Sequence, residues 1–125
     1  MPSETSRTRR VGEQIKRELS APIRTVAQEE ALGMITITAV NVSPDLRQAQ
    51  VLVTAIGTER PMGQIIASLN DHGGEMRYHL AHALSLRTIP RLGFVYDESV
   101  ERGMRMDRLL DSLHTDSSGT EDEAE

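Results

Sequence analysis

Met34-Ile35-Thr36-Ile37-Thr38-Ala39-Val40-Asn41-Val42, then Ser43-Pro44-Asp45, then Gln48 to Ile56, is the stretch on which the fold turns. The first nine residues are rich in β-branched side chains, which suit a pleated surface, and they predict a strand. Alternation puts Ile35 and Ile37 on one face and Val40 and Val42 on the other. The switch near Ala39 predicts a β-bulge, or a strand buried on both sides. Ser43-Pro44-Asp45 is turn chemistry: proline presets φ, and the flanking side chains bond the local backbone. Gln48 to Ile56 then predicts a second strand, with Ala49, Val51 and Val53 on one face. The connection is short, so the two strands form an antiparallel hairpin.

Upstream, Val11, Ile15, Leu19, Ile23 and Val26 recur at helical spacing and mark one apolar face. Pro22 lies within that pattern. It lacks an N–H and crowds the carbonyl of Glu18, which predicts a kink or a restart. Downstream, Met62, Ile65, Ile66 and Leu69 predict a short helix, and Met76, Leu80, Ala83 and Leu84 a second. Asn70-Asp71-His72-Gly73-Gly74 between them must break or bend the path. Arg91 to Tyr96 predicts a third strand, and Met106, Leu109, Leu110 and Leu113 a last helical stripe. Between these, Asp97 to Asp107 is expected to be a structured loop with Gly103 at positive φ and Arg105 presented outward. The reason is that a glycine inside a helix costs about 1 kcal/mol relative to alanine.

The order is αββααβ with an additional C-terminal helix, an α+β class built from a three-stranded sheet with helices packed on one face. The two helices before the third strand form a crossover long enough for parallel pairing. The same order matches the second type of KH domain, an RNA-binding fold.

The chain has 125 residues, enough for one domain. It is read as frayed over residues 1–6, a single domain over 7–113, and a disordered acidic tail over 114–125. There is no cysteine, which excludes a disulfide scaffold and any thiolate metal site. No apolar run approaches a membrane span, and the first twenty residues lack the apolar core of a signal peptide. A soluble, cytoplasmic protein is expected. The net charge of −5 is unevenly placed. Residues 1–113 hold all 14 Lys and Arg and 14 of the 19 Asp and Glu, so they are neutral. Asp116, Glu121, Asp122, Glu123 and Glu125 supply the whole excess. A neutral domain can still carry a basic face. All its basic residues except Lys16 are arginine, which suits bidentate phosphate contact. A compositional preference for arginine would give the same count.

Four stretches in order resemble the ribosome-binding factor A family, bacterial small-subunit assembly proteins. They are Arg10-Val11-Gly12-Glu13-Gln14-Ile15-Lys16-Arg17-Glu18-Leu19; Leu32-Gly33-Met34-Ile35-Thr36-Ile37-Thr38 with Val42-Ser43-Pro44-Asp45-Leu46-Arg47; Leu86-Arg87-Thr88-Ile89-Pro90 leading to Phe94-Val95-Tyr96-Asp97; and Asp97 to Asp107. The resemblance covers roughly Arg7 to Leu113. It implies a KH-like (type II) domain that associates with free 30S subunits and assists late maturation of 16S rRNA, acting by binding, with most importance in the cold. Three departures stand out. The family's Ala-x-Gly kink is His72-Gly73-Gly74, the aromatic or apolar residue after it is Glu75, and Asp-Pro-Arg before the first strand is Glu29-Glu30-Ala31. A general RNA-binding KH module is the alternative reading, and a protein-interaction domain with incidental arginines is a further one.

The candidate RNA-binding residues are Arg7, Arg9, Arg10, Lys16, Arg17, Arg47, Arg77, Arg87, Arg91 and Arg105, with Gly73 and Gly74 at the kink. Taken singly, each arginine reads as a solvated charge or a local ion-pair partner, such as Arg17 with Glu13. Taken together, they predict at least one basic patch whose affinity falls with salt. Gly73-Gly74 would let phosphate approach the amides opening the next helix, or would merely relieve a tight bend. The aromatics are only Tyr78, Phe94 and Tyr96, so recognition by shape and phosphate is expected over stacking of splayed bases.

No catalytic set emerges. Asp97, Glu98 and Glu101 read better as acids favouring the start of a following helix than as catalytic carboxylates. His79 and His82, with Glu75, lack a third strong metal ligand. There is no P-loop, dinucleotide fingerprint or nucleophile motif. The expectation is a monomer without enzyme activity, cofactor, metal or small-molecule substrate, whose partners are the 30S subunit and 16S rRNA.

Overall fold

α1 (Ser6–Glu30) buries the predicted stripe Val11, Ile15, Leu19, Ile23 and Val26, together with Thr8, Gly12 and Ala27. Pro22 lies inside this helix, which does not restart. A proline in a helix interior costs about 3 kcal/mol. Each large apolar side chain buried nearby contributes about 1.5–3 kcal/mol, and Leu19, Ile23 and Val26 flank the proline, so packing carries the helix through. The computed structural model describes residues 6–99, 102–103 and 105–113. The expected frayed end, apart from Ser6, and the expected acidic tail lie outside them.

β1 (Met34–Val42) and β2 (Gln48–Ile56) pair antiparallel, and β3 (Arg91–Tyr96) pairs parallel with β2. The sheet order is β1-β2-β3, with β2 central. In β1 the register steps from Ile37↔Val53 to Ala39↔Leu52, leaving Thr38 as the extra residue. The bulge reverses the alternation. Ile35 and Ile37 before it and Val40 and Val42 after it therefore all pack against the core.

α2 (Met62–Asp71) and α3 (Gly73–Ala83) form the crossover. They lie with α1 on the face of Ala49, Val51 and Val53, closing a core that includes Ile65, Leu69, Met76, Leu80 and Phe94. Two glycines set the α1–β1 joint. At Gly12 a Cβ would sit 2.8 Å from the Val40 carbonyl oxygen, so only glycine lets the helix lie this close to the strand. Gly33, at φ +82°, makes the turn into β1 where a Cβ would strike the Ile56 carbonyl.

Past β3 the described residues 98–99, 102–103 and 105–113 are helical, so that among the described residues the architecture is mixed α+β, with α1, α2, α3 and this helical stretch around a three-stranded sheet. This corrects the expected loop from Asp97 to Asp107. Gly103 is helical and has no positive φ. The helix begins early because Asp97 caps it: the Ser99 N–H donates to Asp97 Oδ1 at 3.0 Å. Met106, Leu109, Leu110 and Leu113 stay more than half exposed. Among the described residues, no helix is long and apolar enough to cross a membrane.

Candidate nucleic-acid interface

The β1–β2 turn is a small rigid device. Ser43 Oγ donates to Asp45 Oδ1 at 2.7 Å, the Arg47 N–H donates to the same oxygen at 3.1 Å, and the Gln48 N–H donates to Ser43 Oγ at 3.0 Å. These donors, the Ser43 hydroxyl first, hold the Asp45 carboxyl below its usual range. Leu46 is forced to φ 63°, a region that costs a non-glycine residue about 1–2 kcal/mol. Its side chain packs against the core, and that anchors the strained residue. The result presents Arg47 beside the start of β3, where the Arg91 N–H donates to the Arg47 carbonyl at 2.8 Å.

The same end of the molecule receives the first turns of α1 and the segment after α3. Arg7, Arg87, Asp45, Leu46 and Leu86 line one hollow, and Arg7, Arg10 and Gln14 line another with Leu84 and Ser85. Arg7, Arg10 and Arg87 meet around these two hollows, whereas Arg47 and Arg91 are joined at this end only through the backbone; all five are exposed. Arg9 is exposed on the same helical turns. Among the described residues, every ion pair uses His72 or His79, and none uses an arginine. Arg47 acts on the Asp45 carboxylate beside it, and the other guanidinium groups are available to an external anion.

The remaining candidates lie elsewhere. Lys16 lines a cleft between α1 and β1 with Arg24, a basic residue outside the predicted set. Arg17 is exposed on α1. Arg77 is committed internally: its Nε and Nη2 donate to the Ile89 carbonyl at 3.2 and 2.9 Å, holding the segment before β3. Arg105 is exposed on the last helix.

The kink has a different character. The helices part at His72, at φ −95° and ψ 9°, and neither Gly73 nor Gly74 takes a positive φ. His72 Nδ1 lies 2.5 Å from Glu75 Oε1, and His72 Nε2 lies 3.5 Å from Glu30 Oε2. The hydrogen bond that His72 donates to Glu75 raises the His72 pKa above its ordinary value, against the opposing effect of burial, with further help from Glu30. Glu30 also accepts from Ser68 Oγ at 3.4 Å, while Arg60 Nη1 donates to the Glu30 carbonyl at 2.5 Å. The residues at the three departures from the family pattern are thus one cluster. Glu75 occupies the first turn of α3, where its charge already satisfies the positive helix end. The sequence marks Glu30 only as a departure and gives no sign of Arg60 and Ser68, because their partners are distant in the chain.

Other acids and histidines are structural. Asp97 accepts from Ser99 Oγ, from the Thr38 hydroxyl of the bulge and from the Ser99 N–H, which together hold its carboxyl below its usual range. His79 Nε2 is 3.7 Å from Glu18, whereas His82 Nδ1 lies 3.0 Å from the Tyr78 carbonyl, so the two rings serve different neighbours. Among the described residues, no group of three acidic, histidine or cysteine side chains is arranged to hold a metal.

The sequence model of the family described as "Ribosome-binding factor A" matches residues 7–110. A ribosome-binding factor A of Pseudomonas putida strain GB-1 is 41% identical, over 98% of this chain and 100% of its own length. The crystal structure of ribosome-binding factor A from Thermus thermophilus superposes with a TM-score of 0.63 at 26% identity, covering 71% of this chain and 94% of that one. The Thermus thermophilus factor as fitted into a cryo-electron-microscopy map of its complex with 30S gives a TM-score of 0.60 at 26% identity, over 70% of this chain and 91% of that one. The chain belongs to the ribosome-binding factor A family.

Proposed function

We propose that the chain binds the free 30S subunit through 16S rRNA and assists late maturation of that RNA, acting by binding energy alone. In this reading residues 7–113 form one KH-like (type II) RNA-binding domain, working as a monomer in the cytoplasm. The observation that carries it is the meeting of Arg7, Arg10 and Arg87 around two hollows, with none of them in an ion pair among the described residues. Guanidinium groups drawn from segments distant in the chain fit phosphates of folded RNA, whose spacing is set by tertiary shape. The family membership agrees, and the Thermus thermophilus relative is seen with 30S.

The test is fractionation. Purified full-length chain is added to a ribosome mixture and separated on a sucrose gradient. Enrichment on 30S with little on 70S is the expected result. Equal spread over all RNA-containing fractions would replace this function with general RNA binding, and absence from them would remove it.

A further inference from the structure

The face of the sheet turned away from the helices has its own chemistry. The register places Asn41 opposite Gln50, and Gln50 opposite Gly93, in one row across all three strands. The next row is Ala39, Leu52 and Val95, and the row on the other side is Gln48 and Arg91. A groove of about 600 Å³ runs over this region to Asn70 at the β3 edge. Among the described residues no acidic side chain lines it, and Arg91 does.

Gly93 is the informative position. A glycine inside a strand loses more entropy than any other residue and has no side chain to pack. Here the fold does not require it: its φ is not positive, and a Cβ would meet nothing within 4 Å. What the missing side chain leaves is a flat, open peptide floor between amide groups and small apolar side chains. Strand glycines without a packing reason mark places where a ligand approaches the backbone closely.

The β3 edge decides between occupants. Asn70 Nδ2 donates to the Phe94 carbonyl at 3.2 Å, and the Phe94 N–H donates to Asn70 Oδ1 at 2.8 Å. The edge groups of Phe94, which an added peptide strand would need, are already taken. An unpaired nucleotide needs none of them. It needs a surface for its base, amides for the base edge, and a cation for its phosphate.

The geometry points to a binding site for unpaired RNA nucleotides on the open sheet face, with Gly93 as floor, Asn41 and Gln50 as base-edge partners, and Arg91 toward the phosphate. This rests on the RNA-binding reading above and deepens it, adding base contact to phosphate contact without an aromatic platform.

The experiment titrates full-length protein into fluorescein-labelled single-stranded RNA decamers of each base and reads anisotropy. Wild type should bind and should prefer some bases over others. Gly93→Val should melt at or above the wild-type temperature and weaken binding about tenfold, the scale of one lost base contact. Asn41→Ala with Gln50→Ala should weaken binding and flatten the base preference. If Gly93→Val and the double variant both bind within about twofold of wild type, or if wild type binds no decamer at about 1 mM, the site is refuted. Binding of an extended peptide in place of RNA refutes it as well. Sucrose-gradient binding to 30S separates the two readings. Retained 30S binding with indifferent decamer affinity sinks only this site, whereas lost 30S binding with Gly93-dependent decamer affinity sinks only the ribosomal role.

Discussion

At the N-terminal end of α1, Arg7 and Arg10 stand with Arg87 around two hollows, and Arg47 meets Arg91 through the backbone. At its C-terminal end, Glu29 and Glu75 line one surface, and Glu30 is held by His72 and Ser68. The cations at the first end have no internal ion-pair partner among the described residues, while Glu30 and Glu75 at the second are engaged with one another through His72. Charge left unpaired is available for a partner. Charge that is paired has been used to build the fold. The near-neutral sum over residues 1–113 hides this division.

The strongest way to break the comparison is to neutralise each end in turn. Changing Arg7, Arg10 and Arg87 to Gln should weaken 30S binding by tenfold or more, on the order of one to two lost phosphate contacts, and should make its salt dependence shallower. Changing Glu29 and Glu75 to Gln should leave affinity within about twofold of wild type or increase it, because repulsion of a polyanion is removed. Gradient binding at several salt concentrations reads both. Equal losses from the two ends would show that the division has no bearing on binding.

Much of this fold was legible in the sequence. The bounds of all three strands follow from β-branched runs and turn residues, and the buried stripe of α1 follows from its spacing. Two things were not. The unbroken passage through Pro22 depends on how firmly Leu19, Ile23 and Val26 are anchored by other elements. The helix at residues 98–99 depends on Asp97 being fixed by Thr38, which becomes available only because β1 bulges there. Local propensity at Gly103 argued for a loop, and a cap set by a distant strand overrode it. The site divided in the same way. Arginine counts predict a basic patch without saying which arginines stand together; that Arg77 is spent on a carbonyl required the tertiary arrangement.

A second test separates the two ends mechanically. α1 connects them, and Gly12 fixes its approach to Val40. Gly12→Ala places a Cβ against that carbonyl, so helix and strand must part by a few tenths of an ångström or more. Overpacking of this kind costs about 1–3 kcal/mol. The melting temperature should fall by several degrees. The hollow shared by Arg7, Val11 and the β1–β2 turn lies beside this contact, so 30S binding should weaken as well. The His72–Glu30 contact, at the far end of the helix, should keep its nuclear magnetic resonance shifts. A protein as stable as wild type would show that the close approach is not needed.

The smallest expected effect belongs to the acidic end and is a matter of pH. His72 carries a raised pKa because Glu75 and Glu30 face it, while Ser68 and Arg60 are bound to Glu30 and offer His72 no opposing charge by direct contact. A histidine whose folded pKa lies above its unfolded value of about 6.5 stabilises the fold fully below that value. The contribution is lost as pH rises through the raised folded value. The gap in melting temperature between wild type and His72→Gln should therefore be wider at about pH 5.5 than at about pH 9. It should be modest at both, because Glu75 is 75% exposed and water screens the pair. The glutamine variant of Arg7, Arg10 and Arg87 should show no such widening, since guanidinium does not titrate in this range. A gap for His72→Gln that is the same at both pH values would mean that His72 holds the kink by shape and not by charge, and the contrast between the two ends would then lose its electrostatic half.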